Sequence, residues 1–335
     1  MSSKFVHGMQ YAGFLTSWIT NPILIFLVIT RPKNLVGKYY LLMLLFSCFS
    51  MFYALIEVLT LPTMHITRAG LIIFLDSWIS EYRNVGVWIV VIYTGCYTTC
   101  LGLLTNQFVY RYFVIKNKDY LRFYDGFKFF LTYSHAIIAS VLWPYYVSQW
   151  LTPTNQSESL FREDLRNFYG VDISNVTFVT CVYYTYDSNG NRLYNTSIFV
   201  GCGLLSLYMC CCIFTIIYCA IKIYAALNDN IFTFSHQFRI LNRQILKSLI
   251  IQTFVPMATM YIPVGLLLIF PFFELKIGSL INFVGMSMSI YPAIDPIIAI
   301  FLVDEFRVRI TGRFQVAPMG HISTVSNTEF TTALR

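Results

Sequence analysis

The stretch IFVGCGLLSLYMCCCIFTIIYCAI, residues 198–221, decides the fold of this chain. It contains 24 residues and no charged side chain. An α-helix rises 1.5 Å per residue, so this stretch would extend about 36 Å, whereas the hydrocarbon core of a bilayer is about 30 Å thick. The stretch therefore predicts a transmembrane helix.

The rest of the chain has the composition of an integral membrane protein. Of its 335 residues, 57% are hydrophobic and 12% are charged, and the mean hydropathy is +0.62. A soluble domain carries about 25% charged residues. The net charge of +7 could indicate a nucleic-acid partner, but the basic residues stand in short segments between apolar runs. We therefore expect the bilayer, and no nucleic acid, as the main partner.

Seven apolar runs are long enough to cross a bilayer. They predict an all-α membrane protein, a seven-transmembrane helix bundle within residues 1–303. The expected spans are Gly8–Ile29, Tyr39–Leu61, Val85–Tyr110, Phe127–Trp150, Ile198–Ile223, Ser248–Phe272 and Ile277–Val303.

Two segments follow the bundle. Phe306, Ile310 and Phe314 recur every four residues among arginines, which predicts a short amphipathic interfacial helix over residues 304–316. The Ser/Thr-rich residues 317–335 are predicted to be a disordered cytosolic tail.

Two independent signals give the orientation. Asn155, Asn175 and Asn195 each begin an Asn-x-Ser/Thr glycosylation site, and all three stand in the long segment 151–197 between the fourth and fifth spans. With that segment outside, 16 of the 23 Lys and Arg residues fall on the cytosolic side and 7 on the outer side. Both signals predict an extracellular N-terminus and a cytosolic C-terminus.

The long outer segment also contains a hairpin signal and one cysteine. The turn-forming run Asp187–Asn191 lies between Tyr-rich stretches, which predicts a small hairpin lid. Cys181 stands in this segment, whereas the other eight cysteines fall within predicted spans, so no disulfide within the loop is expected. Neither a metal site, a cofactor site nor a catalytic motif is indicated, and we expect no enzyme activity.

Two ionisable residues stand where charge is costly. Arg111, in Tyr110-Arg111-Tyr112, ends the third span; it is either an anchor that reaches the interface or a switch that contacts neighbouring helices and an intracellular protein. Asp295, before Pro296, lies deep in the seventh span; it is either a hinge acid or a structural acid.

The outer half of the third span is polar and aromatic. Tyr93 and Tyr97 share one helix face, about 27 and 21 Å from Arg111 at 1.5 Å per residue. They predict either one wall of a ligand pocket or ordinary helix packing. Glu57, near the outer end of the second span, either lines the same cavity or is satisfied by a neighbour.

The opposite wall of that pocket is expected on the sixth span. Tyr261 lies between Pro256 and Pro263, where the helix should be distorted enough to aim the side chain inward. The surroundings are predicted to be apolar and to contain Met257, Met260, Phe283 and Met286.

Basic residues recur every four positions before the sixth span. Arg239, Arg243 and Lys247 would form one stripe on a helix extended into the cytosol. The stripe indicates contact with anionic lipid or an intracellular partner, or reflects only the usual excess of cations on the cytosolic side.

Four stretches together resemble nematode serpentine chemoreceptors of the Str class, the group that includes the diacetyl odorant receptor. They are GKYYLLM at residues 37–43, FVYRY at 108–112, VPMATMYIPVG at 255–265 and YPAIDP at 291–296. The resemblance covers nearly the whole chain.

The resemblance implies a function and some departures from rhodopsin-like receptors. It implies an odorant receptor in the plasma membrane of sensory cilia that signals to a heterotrimeric G protein. Arg111 resembles the arginine of the acid-Arg-Tyr motif, but Tyr110 replaces the acid. Gly86 stands where the disulfide cysteine of the third span would be expected, which leaves Cys181 without that partner.

Two other classes fit seven spans, namely a small-solute transporter and an odorant-gated channel. A transporter built from repeated three-helix units should show similarity between its halves, yet Asn21-Pro22 in the first span has no counterpart in the fifth. The channel of the insect type has a cytosolic N-terminus, which the three glycosylation sites disfavour.

The orientation yields a first prediction. At least one of Asn155, Asn175 and Asn195 should carry a glycan, because all three are expected to face the lumen during synthesis. Glycosidase digestion should increase the mobility of the expressed protein, and an N-terminal tag should bind antibody on intact cells. An unchanged mobility together with a cytosolic tag would reverse the orientation.

Overall fold

A computed structural model describes residues 3–30, 39–186, 189, 191–228, 236–275 and 281–311. The predictions for the tail at 317–335, for Phe314 and for the start of the GKYYLLM stretch lie outside these residues.

The described residues form a seven-transmembrane bundle. Its helices are α1 (Ser3–Ile29), α2 (Tyr39–Thr60), α3 (Arg83–Lys116), α4 (Lys128–Thr132), α5 (Ser134–Trp150), α7 (Thr196–Asn228), α8 (His236–Pro256), α9 (Ile262–Ile269) and α10 (Asn282–Leu302). Helix α6 (Asn155–Tyr169) lies in the outer segment and α11 (Asp304–Thr311) follows the bundle. Among the described residues, six helices are long and apolar enough to cross a membrane, with α8 and α9 counted together.

The fourth span differs from its predicted form. The run 127–150 is divided at Tyr133 into α4 and α5, and α5 has 17 residues, about 26 Å of helix. The third and fifth spans extend further than expected, to Lys116 and Asn228.

Helix α3 is the central element of the bundle. It packs against α2, α5 and α7, while α1 packs against α2 and α10, and α8 packs against α7 and α10. Since α3 is surrounded by other helices, its polar residues Thr105, Asn106 and Gln107 are buried in the protein and not exposed to lipid.

Proline in α10 creates the main contact between the first and last spans. Pro296 has no N–H, so the carbonyl of Pro292, four residues earlier, lacks its helical donor. Asn21 Nδ2 donates to that oxygen at 3.0 Å and Ser17 Oγ at 3.3 Å. Side chains of α1 thus satisfy a carbonyl that would otherwise be unpaired in the membrane.

The sixth span is distorted at the position that the prolines predict. Met257–Tyr261 form a π-helical turn between α8 and α9, just after Pro256 and before Pro263. A π turn inserts extra backbone into the helix and rotates the residues that follow it. Tyr261 is turned into the bundle, where 1% of its surface is exposed.

The outer end of the bundle has a β-sheet that the sequence did not indicate. Strands β1 (Pro62–Ile66) and β2 (Gly70–Leu75) connect α2 to α3, and β3 (Phe178–Val182) comes from the long outer segment. All three pair antiparallel in the order β1-β2-β3. The all-α bundle is therefore covered on its outer side by a small sheet, called here the roof.

A second small core lies above the roof. Helix α6 begins with a capping box between Thr154 and Ser157, and its apolar residues Phe161 and Leu165 are fully buried. They pack against Ile72 and neighbouring side chains of the roof, which alternate between the two faces of each strand. The predicted hairpin lies beside this core as β4 (Tyr184–Tyr186) and β5 (Arg192–Tyr194).

Hydrogen bonds attach the outer segment to the start of α3. The Thr177 N–H donates to Ser80 Oγ at 3.0 Å, and Thr177 Oγ1 donates to the Ser80 carbonyl at 3.1 Å. A Cβ on Gly86 would lie 2.8 Å from Thr177 Oγ1. At the position where a disulfide cysteine would be expected, a glycine admits a close non-covalent contact instead.

The α1–α10 contact yields a second prediction. A Cβ on Gly13 would lie 2.4 Å from the Ser289 carbonyl oxygen, so Gly13→Ala should force the two helices apart and destabilise the bundle by about 1–3 kcal/mol. A lower melting temperature of the purified protein would measure this loss.

Gly8→Ala is the matched control, because no atom lies within 4 Å of a Cβ at Gly8 on the same helix. It should be neutral or slightly stabilising, since alanine favours helix over glycine by about 1 kcal/mol. Equal melting temperatures for the two variants would contradict the close packing of α1 on α10.

Candidate functional site

A cavity lies directly beneath the roof. The space between its lining atoms is about 680 Å³, a figure that includes volume open to solvent. Its floor and walls come from α3, α5, α7, α9 and α10, and its cover is formed by β2 and β3. The lining residues are Met64, Leu71, Ile73, Tyr93, Thr94, Tyr97, Trp143, Val147, Leu151, Val179, Thr180, Cys181, Leu205, Val264, Leu267, Leu268 and Met288.

Strand alternation brings the roof into the cavity lining. Leu71 and Ile73 of β2 point into the cavity, whereas Ile72 and Phe74 on the other face pack under α6. The side chains that line the cavity and those that hold the roof in place therefore come from the same strand.

The structure places two of the predicted pocket residues in the wall. Tyr93 and Tyr97 both line the cavity, and the Tyr97 hydroxyl donates to Met209 Sδ at 3.5 Å. Tyr261 lies behind the wall, with its ring centroid 5.0 Å from that of Tyr97. Its role in the site is therefore to support Tyr97.

The expected apolar surroundings are only partly in place. Phe283 is 56% exposed and faces away from the bundle, so its predicted place beside the pocket is wrong. Met257, Met260 and Met286 do not line the cavity. The π turn changes the helix phase after Met257, and this rotation cannot be derived from regular helical spacing.

Glu57 lies in a separate polar cluster between the first three spans. Its carboxylate is buried, with the side chains of Gln10 and Tyr93 as polar neighbours, and Tyr53 packs against Tyr93 at 6.1 Å between ring centroids. Within the described part of the chain, neither carboxylate oxygen has a partner at good hydrogen-bond geometry. Tyr93 separates this cluster from the cavity, so Glu57 is one side chain away from a bound molecule.

A column of aromatic and thiol groups runs inward from the cavity. Tyr97 contacts Tyr261, which lies next to Cys100, and the Cys100 thiol donates to the Tyr291 hydroxyl at 3.4 Å. Tyr291 precedes Asp295 by one helical turn on α10. The column therefore links the outer cavity to the proline-rich turn of the seventh span.

A second cavity lies on the inner side of this column; the space between its lining atoms is about 500 Å³, which includes volume open to solvent. Asp295 lines it together with Gln107, Ser47 and Gln252 from three other helices. The Gln252 amide donates to the Asp295 carbonyl at 3.1 Å, whereas Asp295 Oδ1 has no hydrogen-bond partner among the described residues. Asp295 faces the bundle interior, as its depth in the span predicts.

Arg111 closes the inner end of the bundle. Its guanidinium lies 3.6 Å above the centre of the Tyr39 ring, and its Nη1 donates to Asn242 Oδ1 at 3.3 Å. The Tyr39 hydroxyl in turn donates to Gln107 Oε1 at 3.2 Å. We call this group, Arg111, Tyr39, Asn242 and Gln107, the inner lock; it joins α2, α3 and α8.

The burial of Arg111 decides between its two interpretations. An interfacial anchor would extend its charge towards water, yet only 4% of Arg111 is exposed. Tyr110 packs on Tyr39 within the same cluster, while Tyr112 packs against Tyr218 on α7 and takes no part in the lock. The geometry favours the switch over the anchor.

Two of the three stripe residues contact the end of α7. Arg239 Nη2 donates to the Leu227 carbonyl at 2.8 Å, and Arg243 Nη2 donates to the same carbonyl and to Asn228 Oδ1. Cations are favourable at a helix C-terminus, where the last carbonyls lack helical donors. Lys247 is exposed.

Helix α11 packs against the bundle, and its predicted apolar residues are not equally buried. Phe306 is buried, whereas Ile310, one turn later, is 52% exposed. Asp304 is paired with Gln244 of α8 and with Arg307. The described part of α11 therefore caps the inner cavity, which Phe306 lines.

Sequence reasoning missed several residues of these sites. Tyr39, Asn242 and Gln107 complete the inner lock, and Ser17 and Asn21 hold α10. Gln107, Ser17 and Asn21 are polar residues within predicted spans, and this is the sequence signal that could have singled them out. Asn242 lies beside Arg243 before the predicted sixth span and gave no such signal.

Comparison with known proteins adds an independent finding. Residues 6–311 match the family described as "Serpentine type 7TM GPCR chemoreceptor Str". The Caenorhabditis elegans protein named serpentine receptor class r-10 is 30% identical over 304 residues, which is 90% of this chain and 88% of that protein. The G-protein coupled receptor str-33 of the same organism is 26% identical over 306 residues, 90% and 88% of the two chains.

The fold is similar to that of a solved receptor. The crystal structure of squid rhodopsin matches with a TM-score of 0.57 over 100% of this chain and 92% of its own, at 12% sequence identity. At that identity the likeness concerns the fold alone.

Proposed function

This chain belongs to the Str family of serpentine seven-transmembrane G protein-coupled chemoreceptors, and from that membership we propose that it binds a small, neutral, volatile odorant in the cavity beneath the roof and signals to a heterotrimeric G protein. The observation that carries the proposal is the column from Tyr97 through Tyr261 to Tyr291, which links the outer cavity to the proline-rich turn beside the inner cavity. Tyr39 and Gln107 of the inner lock line that inner cavity.

The cavity lining supports a neutral ligand. Its wall consists of aliphatic and aromatic side chains, with hydroxyl groups on Tyr93, Thr94, Tyr97 and Thr180. Such a surface suits a small molecule with one or two hydrogen-bonding oxygens. An ammonium ligand would need a counter-ion, and Glu57 is the carboxylate at that depth, behind Tyr93.

The π turn supports a way to transmit binding. Tyr261 follows the turn and contacts Tyr97 in the cavity wall, so displacement of the Tyr97 ring would also displace the sixth span. Single π-helical turns occur frequently at functional sites. Movement of α8 relative to α3 would break the contact between Arg111 and Asn242.

The inner lock supports the proposal that α3 and α8 are held together at rest and that a bound G protein replaces these contacts. Since Tyr110 stands in place of an acid, no carboxylate next to Arg111 in the chain holds its charge. The face of the Tyr39 ring and the amide oxygen of Asn242 contact the guanidinium instead. Opening of α8 would leave the guanidinium available to the inner partner, with Asp295 as the hinge acid nearby.

The site of action follows from the family. Membrane-spanning helices and family membership indicate the plasma membrane. We place the receptor in the cilia of chemosensory neurons, where volatile molecules reach a cell. A panel of neutral ketones, esters and alcohols, compared with amines and acids in a heterologous calcium assay, tests the ligand class.

The inner lock yields a third prediction. Arg111→Ala should abolish ligand-evoked signalling while surface expression stays largely intact. The change removes a buried cation, and the two contacts given above, the Tyr39 ring and the Asn242 amide oxygen, are neutral. Calcium responses normalised to surface immunolabelling would measure both effects.

Lys116→Ala is the control for Arg111→Ala, because it removes an exposed cation from the same end of α3. This control should respond to ligand as the unmodified receptor does. A normal ligand response in Arg111→Ala would contradict the switch and support the interpretation of Arg111 as an interfacial anchor.

The cavity yields a fourth prediction. Tyr97→Phe removes a hydroxyl from the wall and keeps the ring, so the potency of a neutral agonist should fall about 2- to 13-fold, which corresponds to a lost hydrogen bond of about 0.5–1.5 kcal/mol. Glu57→Gln should leave that potency nearly unchanged. Dose–response curves for the agonist found in the panel provide the measurement.

Tyr208→Phe is the matched control, since the Tyr208 hydroxyl donates to the Thr98 carbonyl outside the cavity. Its potency should equal that of the unmodified receptor. If Tyr97→Phe leaves the potency unchanged and Glu57→Gln abolishes the response, the proposal of a neutral ligand is wrong and an amine is the better candidate.

A further inference from the structure

Two cysteine thiols meet at the edge of the roof. All nine cysteines are free thiols in the structure, and Cys181 on β3 and Cys202 on α7 are hydrogen-bonding neighbours. The hydrogen bond that the Cys181 thiol donates to Cys202, together with burial, raises the pKa of the Cys181 thiol.

Packing around the two thiols fixes their approach. The Tyr183 hydroxyl lies 3.4 Å from Cys202 Sγ and donates to the Leu268 carbonyl at 2.9 Å, which holds the end of β3 against α7 and α9. Cys181 and Cys202 are 7% and 6% exposed. Pairing of β2 with β3 places Cys181 opposite Leu71, which holds the backbone at this position against β2.

The compartment favours oxidation. Residue 202 lies in the second turn of α7, near the end of the bundle where the exposed Asn155, Asn175 and Asn195 stand. In the orientation that these glycosylation sites predict, both cysteines fold in the secretory lumen, where disulfides form and persist.

We propose that Cys181 and Cys202 form a disulfide that attaches the roof of the cavity to the fifth span. The inference rests on the predicted orientation and does not depend on the ligand. Two S–H bonds break and one S–S bond forms, and a thiol oxidoreductase of the secretory lumen supplies the oxidant. Its own disulfide accepts the two electrons and two protons and becomes a dithiol.

The linkage has a structural purpose in this chain. The attachment of the outer segment to α3 is non-covalent, through Thr177, Ser80 and the close approach at Gly86. A disulfide to α7 would supply a covalent attachment on the opposite side of the roof. The closed loop would contain the β4–β5 hairpin, and Cys181 would remain in the cavity wall.

Differential alkylation tests the disulfide. The glycan-bearing fraction of the expressed receptor is denatured without reductant and treated with N-ethylmaleimide, then reduced, treated with iodoacetamide and mapped by mass spectrometry. Cys181 and Cys202 should carry the second label, and the remaining cysteines the first. First label at both positions within this fraction would overturn the pairing, and so would a cross-linked peptide that joins either residue to another cysteine.

Variants make the assignment specific. In Cys181→Ser, Cys202 should be a free thiol and carry the first label, N-ethylmaleimide. In Cys202→Ser, Cys181 should carry that label for the same reason. Cys212→Ser, a buried cysteine on the same helix, should leave both in the second label. Absence of any glycan-bearing fraction would overturn the lumenal placement on which the disulfide depends, and this outcome is distinct from a failure of pairing.

A thermal measurement complements the mapping. Reductant should lower the melting temperature of the purified receptor, because the outer segment loses its covalent constraint. The double variant Cys181→Ser/Cys202→Ser should melt at the lower temperature and show no further shift with reductant. An equal shift in both proteins would contradict the disulfide.

Discussion

The carbonyl oxygen of Pro292 lacks its helical donor because Pro296, four residues later, has no N–H. In water a solvent molecule would replace that donor, but a membrane interior offers none, so the protein must supply one. Asn21 and Ser17 of α1 do so. This need for internal satisfaction contributes to the contact between the first and last spans and explains why Ser17 and Asn21 are buried on the face of α1 that packs against α10.

The same constraint separates the architecture into two regions. Within the membrane the described backbone is helical, and its one π turn lies between two prolines and is packed against α3 and α10. Among the described residues, strands occur only at the outer end, where their edges can be paired or covered. Polar side chains inside the bundle gather in the Glu57 cluster, around Asp295 and in the inner lock as well as at the Pro292 carbonyl, and each of these places lies between helices.

The sequence predicted the bundle because long apolar runs have few alternatives in a bilayer, and family comparison agrees. The turn distortion at Tyr261 was predictable from flanking prolines, and the placement of Tyr93 and Tyr97 from helical spacing. The roof was not, because β1 and β2 read as a short loop and their partner β3 stands about 100 residues away. Pairing over such a separation is set by tertiary contact and leaves no periodic signal within either segment.

Contacts between spans were the second feature that could not be predicted from the sequence. Glu57 could be placed near the cavity by depth, but only the structure shows that Tyr93 stands between them. Phe283 was predicted to point into the bundle from its position in the span, yet its side chain is exposed on the outside of α10. The rotation of a helix about its axis is fixed by packing with neighbouring helices, which spacing along the sequence does not reveal. Asn242 and Tyr39 lie on helices far apart in sequence, so their meeting with Arg111 required the fold.

The buried roof has a consequence for the rate at which the cavity can exchange its contents. The roof strands are covered on their outer face by α6 and the second core, so a molecule that passed through this face would need the roof to move. Along that route the opening step would limit how fast a ligand enters, however high its concentration, and would slow its departure to the same degree. A receptor built this way would report the average odour over its own opening time, and brief fluctuations in concentration would pass unrecorded.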